Sequence, residues 1–147
     1  MTSSYLSHEQ TGFFSNMMLD YLSENEKLKA FYKYDVQIEN FAKIIAAKQK
    51  SNICNRSVLV DVLQKQYAHL PKNEIVEQNI QLLADEKTFV IVTGHQTNLF
   101  TGHLYFFYKI ISCINLCKQL KAFYPNYNFV PIYWMGSEDH DLSLIHI

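Results

Sequence analysis

TFVIVTGHQTNLFTG, residues 88–102, opens with a short apolar run, stops at Thr93-Gly94 and continues as a polar loop bearing His95. A long apolar segment follows from Leu104. Strand, tight loop and helix start, in that order, form the usual place for an α/β domain to hold an anionic ligand. The first-turn amides of the helix have no internal partner, and the helix dipole adds positive potential there.

Phe89-Val90-Ile91-Val92 is short, β-branched and continuously apolar, as in a strand buried on both faces of a parallel sheet. Leu104–Leu120 is long enough for a helix, and up to Cys117 its only charge is Lys109. That predicts a helix packed between a sheet and another layer. It is too short and too polar-flanked to span a membrane. Lys118 and Lys121 suit its last turn. Beyond Pro125, residues 129–135, FVPIYWM, read as a second strand, with Pro131 near its start where a missing donor is tolerated. A strand–helix–strand of this length predicts a right-handed βαβ unit.

Upstream the pattern is helical. Phe13, Phe14, Met17, Met18, Tyr21 and Leu22, then Leu28, Phe31 and Tyr32, keep helical spacing with a break at Ser23-Glu24-Asn25. Phe41, Ile44 and Ile45 suggest another helix. Asn55 caps a third, with Val58, Leu59, Val62, Leu63 and Tyr67 in one stripe that Pro71 ends. Asn73 caps a fourth, over Ile75, Val76, Ile80, Leu82 and Leu83. The chain changes character near Lys87. No Asp or Glu occurs from Thr88 to Ser137, and only Lys109, Lys118 and Lys121 of the 13 Lys and Arg lie beyond residue 88. The expected organisation is an α/β chain: a helical segment at 1–87, a strand–helix–strand core at 88–141, and a tail at 142–147.

With 147 residues, 48% hydrophobic and 18% charged, the chain suits one globular domain. A net charge of −1 gives no electrostatic case for nucleic acid or an acidic membrane. The first residues, MTSSYLSHEQTG, lack a basic region followed by an apolar one, so no secretory signal is visible. Cys54, Cys113 and Cys117 are too few and too irregular for a disulfide framework, which predicts a reducing, cytoplasmic setting. Cys113 and Cys117 share a helical face, either as small core residues or as a redox pair.

Ligands in open α/β sheets bind beyond the carboxyl ends of the strands. Here those ends are Thr93-Gly94-His95-Gln96 and Gly136-Ser137-Glu138-Asp139-His140-Asp141. Parallel neighbours would bring both to one edge, beside the helix start at Thr101-Gly102-His103. The first loop has no Lys or Arg, so it would grip an anion by backbone amides, imidazole and hydroxyl. Lys109 either points back to that loop or extends to the surface. His103 either binds or only caps the helix. Glu138–Asp141 are either a solvated loop, acid–base groups or hard-metal ligands. Four adjacent residues cannot all aim at one ion, so no metal is assigned. The spacing is neither a Walker loop nor a dinucleotide fingerprint.

TGHQTNLFTGHLYFFYKI followed by PIYWMGSEDHD resembles the bacillithiol biosynthesis cysteine-adding enzyme family (BshC). The family pattern, T-G-x-Q-x-G-L-x-T-G-P-L-Y, a lysine, then E-D-H-D, maps onto Thr93, Gly94, Gln96, Leu99, Thr101, Gly102, Leu104, Tyr105, Lys109 and Glu138–Asp141. Gln10–Tyr32 resembles the family's N-terminal segment. The chain departs at Asn98, usually Gly, and at His103, often Pro. Asn98 is then expected to take whatever backbone angle Gly held.

The resemblance implies the first βαβ unit of a nucleotidylyltransferase-type Rossmann-like core, cut short, with a C-terminal coiled coil in the longer protein. It implies a ligase joining cysteine to the amine of glucosaminyl malate to give bacillithiol. By the same similarity, ATP or an adenylated carboxylate would sit on Thr93, Gly94, His95, Gln96, Asn98, Thr101, Gly102, His103 and Tyr105. His95 or His103 would stabilise phosphate charge. Glu138, Asp139, His140, Asp141 and Lys109 would be the catalytic set, with a carboxylate orienting the amine or taking its proton. The longer protein could form a homodimer. The competing readings are a nucleotidyltransferase or metal-dependent hydrolase on the same loops, and a non-catalytic helical interaction module. The final residues, LSLIHI, match the translation of a transposase adapter end, so 142–147 are expected to be a scar. Two strands with unpaired edges should not fold stably alone, so the 147-residue piece is expected to be inactive.

Overall fold

The computed structural model describes residues 4–35, 37–51, 54–98 and 102–137. The chain divides into two compact units, Met1–Lys50 and Ser51–Ile147.

In the first unit, α1 (His8–Thr11) carries a reciprocal cap between Ser7 and Gln10 and stops at Gly12, whose φ is +68°. α2 (Asn16–Leu22) starts on Ser15, whose hydroxyl accepts from the Met18 amide. The break expected at Ser23–Asn25 is present: Glu24 has φ 56°, and the Asn25 side chain accepts from the Lys27 amide. That cap opens only a 3₁₀ turn, Glu26–Leu28. The helical spacing through Leu28, Phe31 and Tyr32 therefore does not continue as an α-helix. α3 (Phe41–Lys50) follows a second 3₁₀ turn and buries Ile45.

In the second unit, Asn55 and Asn73 cap as their positions predict. The Asn55 carbonyl oxygen accepts from the Val58 amide at the start of α4 (Arg56–Tyr67). Asn73 accepts from the Ile75 and Val76 amides at the start of α5 (Glu74–Leu82). Then come β1 (Thr88–Gln96), α6 (Leu104–Phe123) and β2 (Asn128–Gly136). β1 and β2 are parallel neighbours, in register from Thr88 opposite Asn128 to Gln96 opposite Gly136. This is the strand–helix–strand of a truncated α/β fold.

The core lies at the amino-terminal half of the strand pair. Ile80, Leu83, Thr88, Cys113, Cys117, Leu120, Phe129 and Val130 are buried there. Three clasps hold that end. Arg56 donates through Nη1 to the Leu83 carbonyl and through Nη2 to the Thr88 carbonyl, both at 2.9 Å. Lys121 Nζ donates to the carbonyls of Pro125 and Tyr127 and to Asn128 Oδ1, each at 3.0 Å. Asn128 Nδ2 donates to Asp85 Oδ2 at 3.3 Å.

Three details differ from the sequence reading. β1 is longer than its apolar run: Thr93-Gly94-His95-Gln96, read as loop, pair with Tyr133–Gly136. Pro131 is not near the start of β2 but opposite Ile91 in mid-ladder, and the Ile91 carbonyl accepts from the Cys113 thiol at 3.2 Å. α6 is not covered on all sides: Cys113, Cys117 and Leu120 are buried, whereas Leu104, Tyr108 and Ile111 are 68%, 62% and 51% exposed. Among the described residues, no helix is long and apolar enough to cross a membrane.

Candidate functional site

The register decides where the chemistry collects. Gln96 opposite Gly136 means that both strands end together, so their loops leave from one edge of the sheet. Gly94 fits there because β2 passes close by. A Cβ on Gly94 would lie 2.8 Å from the Trp134 carbonyl oxygen, closer than any real Cβ contact.

The last three carbonyls of β1 near this edge are each covered by a donor. Lys109 Nζ, lying back along α6, donates to the Gly94 carbonyl at 2.6 Å. The Tyr133 hydroxyl donates to the His95 carbonyl at 3.2 Å. The Gln96 carbonyl lies 3.1 Å from His95 Nδ1 and 3.2 Å from Asn98 Nδ2. Covered carbonyls no longer present bare lone pairs to an anion, and the edge becomes hospitable to negative charge.

His103 occupies the N-cap position of α6 but makes no side-chain cap bond. Its ring stacks on Tyr105 instead, with centroids 5.6 Å apart and planes within 13°. The Tyr105 hydroxyl in turn meets His95 Nε2. Phe106 packs edge-on against both His95 and Tyr133. The loop closes on Gly102, which has φ +68° and would place a Cβ 2.7 Å from the Asn98 side chain. Glu24 is the only non-glycine residue with positive φ among the described residues. Asn98 therefore does not take a positive φ, and its side-chain amide donates to the Gln96 carbonyl.

Gly94, His95, Gln96, Asn98, Gly102, His103, Tyr105 and Lys109 thus come together, with Thr93 one residue back on β1. Thr101, Glu138, Asp139, His140 and Asp141 lie outside the described residues, as does the 142–147 tail. Sequence reasoning missed Tyr133 and Phe106. Tyr133 carries a signal only once the register is known, because it sits opposite Thr93. Among the described residues no three His, Cys, Asp or Glu side chains converge as metal ligands. Cys113 and Cys117 are free, buried thiols. Burial pushes both upward, Cys117 to about 12, so they stay protonated and serve as core.

A phosphate-bearing cofactor such as ATP fits this donor set in one respect and not in another. The start of α6 has no side-chain cap and two imidazoles beside it, which suits an anion. The one cation of the cluster, Lys109, is already bound to a carbonyl. Phosphate charge would therefore rest on amides and imidazole.

Comparison with known proteins bears on what such an edge does. The family described as "Bacillithiol biosynthesis BshC, N-terminal Rossmann-like domain" matches residues 1–147. A Flavobacterium psychrophilum protein named "Putative cysteine ligase BshC" is 51% identical over 148 residues, covering 99% of this chain and 28% of that protein. Its namesake from Flavobacterium johnsoniae is 50% identical over 147 residues, again 99% and 28%. The one from Chlorobaculum tepidum is 35% identical over 138 residues, 88% of this chain and 24% of that protein. The chain thus spans about a quarter of the length of these relatives.

Proposed function

This chain belongs to the bacillithiol biosynthesis BshC family, and from that premise we propose that its full-length protein is a cysteine ligase that joins cysteine to the amine of glucosaminyl malate. The observation that carries the reading is the shared end of β1 and β2, where Gln96 and Gly136 stand opposite each other. The described part of the chain leaves that edge at Ser137, where His95, Tyr105 and Lys109 gather, and Glu138 is the next residue in the sequence.

In this reading Thr93–His103 hold the activated carboxyl half of the reaction. ATP, when bound, supplies a phosphate leaving group that makes that carboxyl open to attack. The α6 amides, with His95 or His103, stabilise the negative charge. Lys109 fixes the Gly94 carbonyl and so the loop's starting point. Glu138, Asp139 or Asp141, with His140, orient the incoming amine or take its proton. The reaction consumes a free thiol-bearing amino acid, which suits the cytoplasm, and a homodimer is the proposed assembly of the longer protein.

The test is to incubate the full-length protein with cysteine and glucosaminyl malate, with and without ATP, and to follow bacillithiol by mass. ATP-dependent product supports the whole reading. Product without ATP removes the nucleotide but keeps the ligase. Absence of product in both arms rejects the ligase reading.

A further inference from the structure

We infer that Tyr105 and His95 form the proton route of this site, with Tyr105 as the catalytic base and His95 as the positioning residue that accepts through it. The inference rests on the ligase reading above and gives to these two side chains the proton transfer that the reading allows to the carboxylates.

The relay uses the tautomer in which His95 Nδ1, 3.1 Å from the Gln96 carbonyl, carries the proton and donates to it. The Asn98 amide nitrogen, 3.3 Å from Nδ1, meets its need by donating to the same carbonyl. Nε2 is then the bare nitrogen, and the Tyr105 hydroxyl donates to it. The phenol is held in place by the stacked His103 ring on one side and this bond on the other. Its remaining lone pairs stay available, since Tyr105 is 48% exposed.

Such a pair can take a proton without creating a phenolate. As the amine nitrogen bonds to the activated carboxyl carbon, the leaving group departs from that carbon with its electron pair. The amine proton passes to the Tyr105 oxygen while the Tyr105 proton passes to His95 Nε2. His95 becomes an imidazolium whose Nδ1–H remains on the Gln96 carbonyl. It returns its proton to water after the product leaves.

The test compares wild type, Tyr105→Phe and His95→Ala in the full-length protein, reading kcat and KM of bacillithiol formation with and without added imidazole. Tyr105→Phe is expected to lower kcat about 100-fold with KM little changed. His95→Ala is expected to fall to a similar rate and to regain rate with added imidazole, whereas Tyr105→Phe does not. An active wild type with Tyr105→Phe at full kcat overturns the relay and leaves the ligase standing. So does a His95→Ala rate that imidazole does not raise. A wild type that makes no bacillithiol overturns both.

Discussion

At its amino-terminal end the strand pair is clasped from outside: Arg56 grips the Leu83 and Thr88 carbonyls, and Lys121 closes the turn that leads into Asn128. At its carboxyl end the same two strands carry Thr93, His95, Tyr133 and Trp134, and the groups around them are polar or half exposed. Both ends use a cation on backbone carbonyls. The difference is what lies beside it. Arg56 bonds to the carbonyls of buried Leu83 and Thr88, and Lys121 closes the turn that leads to buried Phe129, so their bonds fix the fold. Lys109 stands beside imidazole and phenol, so its bond to Gly94 aims a loop.

The comparison is broken most directly at Arg56. Arg56→Ala removes two charge-assisted bonds and is expected to cost about 3 kcal/mol of stability. In the full-length protein this should lower the thermal midpoint while leaving kcat per folded molecule unchanged. A lost kcat at an unchanged midpoint would reverse the assignment of the two ends. Next is Gly94→Ala, whose Cβ would meet the Trp134 carbonyl at 2.8 Å and push the strands apart at the site. The expected loss is about 100-fold in kcat, the scale of an ångström's misplacement. A variant with wild-type turnover would show that the close approach does not matter to the chemistry.

These two residues also mark what the sequence could and could not reveal. Asn55 and Asn73 were readable as caps because a cap is satisfied within three residues of chain. For Lys109 the sequence left two readings, back to the loop or out to the surface; the structure shows the first, as the lean of helix side chains toward the N-terminus allows. Arg56 was not, since its two acceptors lie 27 and 32 residues away. Thr93–Gln96 read as a loop because a glycine and polar side chains mask strand character. Only pairing with Tyr133–Gly136 makes them strand. The meeting of His95 and Tyr105 depends on that extra strand length, which carries His95 to the start of α6.

Smaller effects sharpen the contrast. The raised thiols of Cys113 and Cys117 give a pH signature at the buried end. As pH rises above the ordinary thiol value of 9.0, the unfolded chain loses these protons first, so it binds fewer than the folded one. Stability is therefore expected to fall from about pH 9 upward, and Cys113→Ala/Cys117→Ala should flatten that fall. In alkylation at pH 8 followed by mass spectrometry, exposed Cys54 should react well before Cys117. Equal rates would contradict a sealed core. Smallest is the exposed pair of Lys65 and Asp61 on α4, at 2.7 Å. Asp61→Asn should cost no more than about 0.5 kcal/mol by denaturant titration. A larger loss would show that surface charge holds this unit as firmly as its clasps do.

We propose that the chemistry sits at the carboxyl end of the strand pair and draws on both segments that leave it. The decisive experiment is bacillithiol formation by the full-length protein carrying Glu138→Gln, Asp139→Asn and Asp141→Asn together. A fall of about 100-fold or more with an unchanged circular dichroism spectrum is expected. Turnover at the wild-type rate would put the chemistry elsewhere.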